Sequence, residues 1–145
     1  TYSMALTGTT STAEVLATTS AVLPTTLDNT HIYYARVEGY QDTLAGSRVQ
    51  LYWPVAEPLF GSLSLGSAGL WNTYSFVIGK TTFTNGTYQF RADYDNANVA
   101  GVMYYDGALL IDLTASFGAG NEPTKDWCDK NIPYFDSTYN LYVSN

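Results

Sequence analysis

The sequence predicts an all-β domain, an antiparallel β-sandwich of the jelly-roll kind closed by a short C-terminal helix. Three observations predict it. Apolar and polar residues alternate over about eight stretches of strand length, turn residues recur between them at near-regular spacing, and no stretch carries the period of a long helix. Charged residues make up 13% of the chain, well below the usual quarter, and Thr, Ser, Gly and Tyr stand in their place.

Residues 2–7 read as a first strand and 14–18 as a second, with a Thr/Ser stretch between them. Pro24 and Asp28-Asn29 mark a connection over 22–29. The clearest strand of the first half is 31–40, where Tyr33, Ala35 and Val37 alternate with Tyr34, Arg36 and Glu38. After a turn at 42–46, residues 47–53 alternate again and put Val49, Leu51 and Trp53 on one face. Alternation this strict predicts antiparallel sheets with one solvated face. Residues 54–69 interrupt the rhythm with Pro54, Pro58, Gly61, Gly66 and Gly69, yet stay apolar, so a function or an interface is expected there. Strands resume at 72–78, with Tyr74, Phe76 and Ile78 inward, and at 87–94, with Tyr88, Phe90 and Ala92 inward. Asn85-Gly86 between them is a strong turn signal for flanking strands.

A turn over 93–98 leads to the last core strand, 104–113, whose apolar run is dense enough for burial on both faces. Asp112 or Thr114 can cap one helical turn through Phe117, and the glycines of 118–121 break that turn. Thr124 is a good N-cap for a second helix over 125–131, with Asp126 favourably placed in its first turn. Trp127 and Cys128 are expected to point inward, with Pro133 ending the segment. A helix so short is not stable alone and must dock on a larger body. The domain is expected to occupy 1–138, leaving 139–145 as an edge strand or the lead into a further segment.

Ile111-Asp112-Leu113-Thr114-Ala115, Phe117-Gly118-Ala119-Gly120-Asn121-Glu122-Pro123-Thr124 and Trp127-Cys128-Asp129 carry a resemblance. Together they are similar to the C-terminal signature of a domain common in tail and other appendage proteins of bacteriophages and prophages. There the signature follows a sandwich similar to carbohydrate-binding modules of the galactose-binding-like type. The close match covers the last quarter of the chain. It implies a virion setting, in a tail, baseplate or head appendage, and it names no ligand. In the sandwiches it resembles, an acid before the last core strand often ligates a structural calcium, and Asp106 occupies that place here.

Thirteen acidic residues against six basic give a net charge of −7, which repels phosphate backbones and argues against nucleic acid. No apolar run approaches the ~18 residues of a membrane span. Cys128 is the single cysteine, so no internal disulfide forms, and its place beside Trp127 favours a buried structural thiol. His31, the single histidine, would have to serve any Ser-His-Asp or Cys-His site, and no Gly-x-Ser-x-Gly elbow accompanies it. Carboxylate pairs such as Asp93 with Asp95, or Glu122 with Asp126, sit in turn and cap contexts that already explain them. The same holds for the cluster Asp93, Asp95, Asn96 and Asn98 as a calcium loop. No enzyme is expected.

Binding is expected instead, through aromatics. Thirteen Tyr, six Phe and three Trp exceed what a core of this size buries, and Tyr and Trp suit sugar rings and protein interfaces alike. Tyr34, Tyr52, Trp71, Tyr105 and Tyr134 are expected to be exposed, with Gln50, Gln89, Arg91 and Asn72 as planar polar partners for a sugar. Three readings follow. One is a structural virion module that binds host-surface glycans or neighbouring virion proteins. Another is a carbohydrate-binding module of a secreted bacterial enzyme. The last is an architectural decoration protein with no ligand. A homo-oligomer would cover the apolar loop at 55–65.

Overall fold

The computed structural model describes residues 4–8, 15–18, 27–42, 47–52, 63–64, 68–86, 89–94 and 101–132. Among them run β1 (Met4–Gly8), β2 (Val15–Thr18), β3 (Tyr33–Gln41), β4 (Ser47–Tyr52), β5 (Leu63–Ser64), β6 (Trp71–Ile78), β7 (Gln89–Tyr94) and β8 (Gly101–Asp112), then α1 (Leu113–Phe117) and α2 (Lys125–Asn131). The strands form two four-stranded sheets, in the orders β1-β8-β3-β6 and β2-β7-β4-β5. Every pairing is antiparallel, and the architecture is the expected β-sandwich with a short helical C-terminal segment.

Two connections depart from the sequence reading. Within 54–69, read as a loop, Leu63 and Ser64 pair with Val49 and Arg48 as β5. Asn85-Gly86 does not join two paired strands, because β6 and β7 belong to different sheets. Gly86 instead bridges to Leu27, and the Asn85 side chain accepts the Asn29 N–H at 2.6 Å. The turn residues thus fasten the crossover between sheets to the entry of β3. Trp53, Tyr88, Tyr134 and the 55–62 and 93–98 readings fall wholly or partly outside the described residues.

The inner face of the first sheet carries the core: Leu27, Tyr33, Ala35, Ile78 and Phe83 cluster, with Phe76 and Leu110 packed against them. A second cluster lies on the opposite face, where Tyr34, Leu113 and Cys128 are each 0% exposed beside Ile32, Val77, Leu109, Ile111 and Ile132. Here the expectation of one solvated face fails for β3. Its residues from Tyr33 to Val37 are all buried, because α1 and α2 fold back over the outer side. Tyr34 is consequently core rather than surface. The reading of β8 as buried on both faces holds where Leu110 meets one cluster and Leu109 and Ile111 the other.

Both helices begin where the sequence puts them. Asp112 caps α1 by accepting the Ala115 N–H, and Thr124 caps α2 by accepting the Trp127 N–H. One face of α2 supplies Cys128 to the cluster. Trp127, expected inward, is 44% exposed and meets Phe117 edge-on, with centroids 5.7 Å apart.

Asp106-Gly107 lies inside β8. Gly107 has φ +57°, a region that favours glycine, and the β3–β8 register shifts there by one residue. Before the shift Leu109 faces Arg36; after it Asp106 faces Glu38 and Tyr104 faces Tyr40. An extra residue reverses which side chains point out, since the strand period is two. Tyr105 therefore turns inward and is buried, against expectation, while Tyr104 turns outward.

Three substitutions test this arrangement. Leu113→Ala should cost about 2–5 kcal/mol in urea unfolding, as for a core leucine, whereas exposed Leu70→Ala should change stability by less than about 0.5 kcal/mol. Gly107→Ala should cost about 1–2 kcal/mol, because a Cβ at positive φ meets the backbone carbonyl.

Candidate functional site

Seen from outside, the first sheet has a roofed end and an open end. At the roofed end, polar contacts bind the helices to β3. Ile32 accepts the Leu113 N–H at 2.8 Å and donates its own N–H to the Thr114 hydroxyl at 2.9 Å. That hydroxyl donates to Glu122, which also accepts the Gly120 N–H and lies 3.2 Å from the Lys80 ammonium. The Glu122 carboxyl is held down to about 2, chiefly by the Thr114 hydroxyl. His31 Nδ1 sits 2.7 Å from the Asp112 carboxylate, whose other oxygen caps α1. That bond raises the imidazole above its ordinary value, against some desolvation.

Under α2, the Tyr34 hydroxyl donates to Asp129 at 3.0 Å, and Lys125 donates to the same carboxylate at 2.6 Å. Burial, then that carboxylate, pushes the phenol up to about 12. Burial pushes Asp129 up as well, but hydrogen bonds from Lys125, Ser75 and Tyr34 outweigh it and hold the carboxyl low. Burial, reinforced by Asp129, also pushes the Cys128 thiol up, which agrees with a structural and unreactive cysteine. Arg36, buried, donates to the Ile132 carbonyl at the end of α2 at 2.8 Å, where a cation suits the helix terminus.

Past this roof the open end begins with a polar belt. Thr73, Glu38 and Asp106 stand opposite one another on β6, β3 and β8. The Thr73 hydroxyl donates to Glu38 at 2.7 Å, and Arg36 Nε lies 4.0 Å from the same carboxylate. Two residues further along each strand comes a row of aromatics: Trp71, Tyr40 and Tyr104 in direct register, followed by exposed Ala5 on β1. The Tyr40 ring lies 5.8 Å from Trp71 and 5.9 Å from Tyr104, tilted by 45° and 59°. Trp71 is 51% exposed and Tyr104 36%, with Leu70 exposed beside them. Three rings on three adjacent strands make a faceted apolar strip held by backbone ladders.

The expected ligand residues do not gather into one site. Trp71 is in the row, and Tyr34 is buried beneath the roof. Register sets Gln50 opposite Arg91 and Tyr52 opposite Gln89, together on β4 and β7 of the other sheet. Their side chains, and Tyr134, lie outside what is described. Asn72 Nδ2 donates to the Leu70 carbonyl and so shapes the turn before Trp71. Tyr40 and Tyr104 were missed. Continuing the alternation Tyr34-Arg36-Glu38 by one step reaches Tyr40, whereas Tyr104 needed the bulge. For the calcium reading, Asp106 is buried and one of its oxygens accepts the Gly107 N–H at 2.7 Å. Among the described residues no three of His, Cys, Asp and Glu gather as metal ligands. Among the described residues, holding the bulge at Gly107 is the role the geometry gives this carboxylate.

Comparison with known proteins bears on the fold. A solved structure described as "CBM4 structure and function", a carbohydrate-binding module, superposes with a TM-score of 0.53 at 11% identity, covering 76% of this chain and 83% of that one. Identity that low shows a shared fold alone, the β-sandwich. A structure of infectious bursal disease virus Gx strain aligns at 13% identity over 84% of this chain and 33% of that one, but its TM-score of 0.30 is too low to read a fold from. The chain matches no family model and no curated protein.

The His31–Asp112 contact gives a pH dependence with a definite sign. A histidine raised in the folded state contributes stability that is fully present below its unfolded value of about 6.5 and lost as pH rises through the folded value. Urea unfolding should show wild type losing stability relative to His31→Gln as pH rises above about 6.5, and parallel curves would exclude the linkage.

Proposed function

We propose that this chain is a non-catalytic carbohydrate-binding module that holds a glycan on the outer face of its first sheet, against Trp71, Tyr40 and Tyr104. The exposed aromatic row carries the reading. Tyr and Trp offer a flat apolar face with a polar edge, the match for the C–H face of a sugar ring with hydroxyls at its rim. The row stands on paired strands rather than loops, so little ordering entropy is lost when a ligand arrives. The sandwich shared with a carbohydrate-binding module supports the same reading at the level of fold, where function is never fixed by itself.

In this reading the domain recognises and does no chemistry. His31 is engaged in holding α1, and Cys128 is enclosed with its thiol pushed up. The module is carried on an extracellular object, either a phage particle that meets host-surface glycans or a secreted bacterial enzyme. The 111–129 signature supports the particle, and the likeness to CBM4 fits the enzyme at least as well.

A glycan array followed by affinity electrophoresis tests the binding. Wild type should be retained by at least one polysaccharide. Trp71→Ala and Tyr40→Ala should each weaken retention tenfold or more, about 1.4 kcal/mol, with the fold intact by circular dichroism. Retention unchanged in both variants would remove the site, and no retention of wild type would leave the architectural reading.

A further inference from the structure

Five large apolar side chains stay exposed among the described residues, and three of them, Leu70, Trp71 and Tyr104, stand at the aromatic row. The other two are Phe117 and Trp127 on the roof. Phe117 ends α1, Trp127 lies in the first turn of α2, and the rings meet edge to face. Neither belongs to the apolar cluster that holds the roof to the sheet. The Gly118-Ala119-Gly120 segment that follows Phe117 is exposed and carries no side chain beyond a methyl, so a neighbouring surface can approach closely. Adjoining aromatics left in water on a docked element mark a surface that meets another protein.

The charges of α2 indicate the partner. Successive residues of an α-helix turn by about 100°, and Cys128 faces the sheet. Asp126 and Lys130, two positions to either side of it, therefore project away from the sheet and straddle the outward direction. On one flank Lys125 and Asp129 pair with each other at 2.6 Å, and Trp127 lies on the other flank. Asp126 and Lys130 have the same spacing as that pair but make no hydrogen bond or ion pair among the described residues. An acid near the start of the helix and a base near its end, both unengaged, complement their own reverse. Turning a second α2 end for end about a two-fold axis level with Cys128 sets each Asp126 opposite the other copy's Lys130. The same rotation keeps both Trp127 on one flank of the helix pair, so the two Phe117–Trp127 pairs meet there. A second copy thus answers the charges and the rings in one arrangement.

We propose that two copies of this chain associate through the outer faces of α1 and α2, pairing each Asp126 with the other copy's Lys130 across a two-fold axis. Phe117 and Trp127 close against their counterparts and leave water. The glycan reading is independent of this contact, because Trp71, Tyr40 and Tyr104 take no part in it. Two short helices per copy make a small interface, so dissociation constants on the order of 1–100 μM are expected.

Sedimentation of the intact chain from about 1 to 500 μM tests the pairing across that range. Wild type should pass from monomer to dimer, and Trp127→Ala should weaken association tenfold or more with the fold intact by circular dichroism. Asp126→Lys and Lys130→Asp each set like charges opposite one another at both ends of the helix pair. Each variant alone should therefore remain monomeric. Mixed in equal amounts the two should form a heterodimer, since every facing pair is then of opposite charge. A wild type that stays monomeric throughout, or forms a trimer, would overturn the proposal. So would a dimer indifferent to Trp127→Ala and to both charge reversals, or reversed variants that fail to recover on mixing.

Discussion

The structure depends on β3 having no solvent side along its first half. Tyr33 and Ala35 enter the sandwich core, and Tyr34, one residue between them, enters a second apolar cluster on the other face. A strand of this kind cannot stand in a two-layer sandwich without a third cover. The C-terminal segment is that cover: Leu113 and Cys128 close over Tyr34, and the helices that present them are too short to exist undocked. Polar bonds fix the cover's position. Asp112 joins His31 to the start of α1, Thr114 joins Ile32 to Glu122, and Arg36 reaches the end of α2. Each lies at the rim of an apolar contact, where a hydrogen bond specifies geometry more than it adds stability.

The cover ends where the polar belt begins, and this boundary defines the candidate site. Past the belt the outer face opens to water at Trp71 and Tyr104, and alternation delivers Glu38 and Tyr40 to that side from the same strand whose earlier half is enclosed. The bulge at Gly107 completes the row. Without the extra residue, Tyr105 would stand opposite Tyr40 and Tyr104 would face the core. A single glycine at positive φ thus determines which of two adjacent tyrosines reaches the surface.

Local chemistry was legible in the sequence wherever a few neighbours suffice. Asp112 and Thr124 were recognisable as caps because a short polar side chain precedes each helix. The alternation of β3 sorted its residues onto the right faces, that of β6 gave its inward residues, and Trp71 was recognisable as exposed. Properties set by distant segments were not legible. Nothing near Tyr34 announces that residues eighty positions later will cover it. Nothing near Asn85-Gly86 announces that the strands on either side belong to opposite sheets. The exposure of Trp127 has the same origin: one turn of helix shows a single face to the sheet, and Cys128 takes it. Tyr104 was hidden for another reason, since alternation is a counting rule and a bulge breaks the count.

Placing recognition and anchoring on one strand has a physical consequence. β3 supplies Tyr34 and Arg36 to the roof and Glu38 and Tyr40 to the open face, over a rise of about 3.4 Å per residue. The roof holds the strand from outside while the core holds it from within, so Tyr40 is presented from a backbone that has little freedom left. Trp71 and Tyr104 are then fixed against Tyr40 by ladder pairing on both sides. Three large side chains held in this way have already lost much of their rotamer freedom before any ligand arrives. The apolar area they leave in water is the standing cost of that arrangement, and it is the kind of cost a fold retains for a surface that meets a partner.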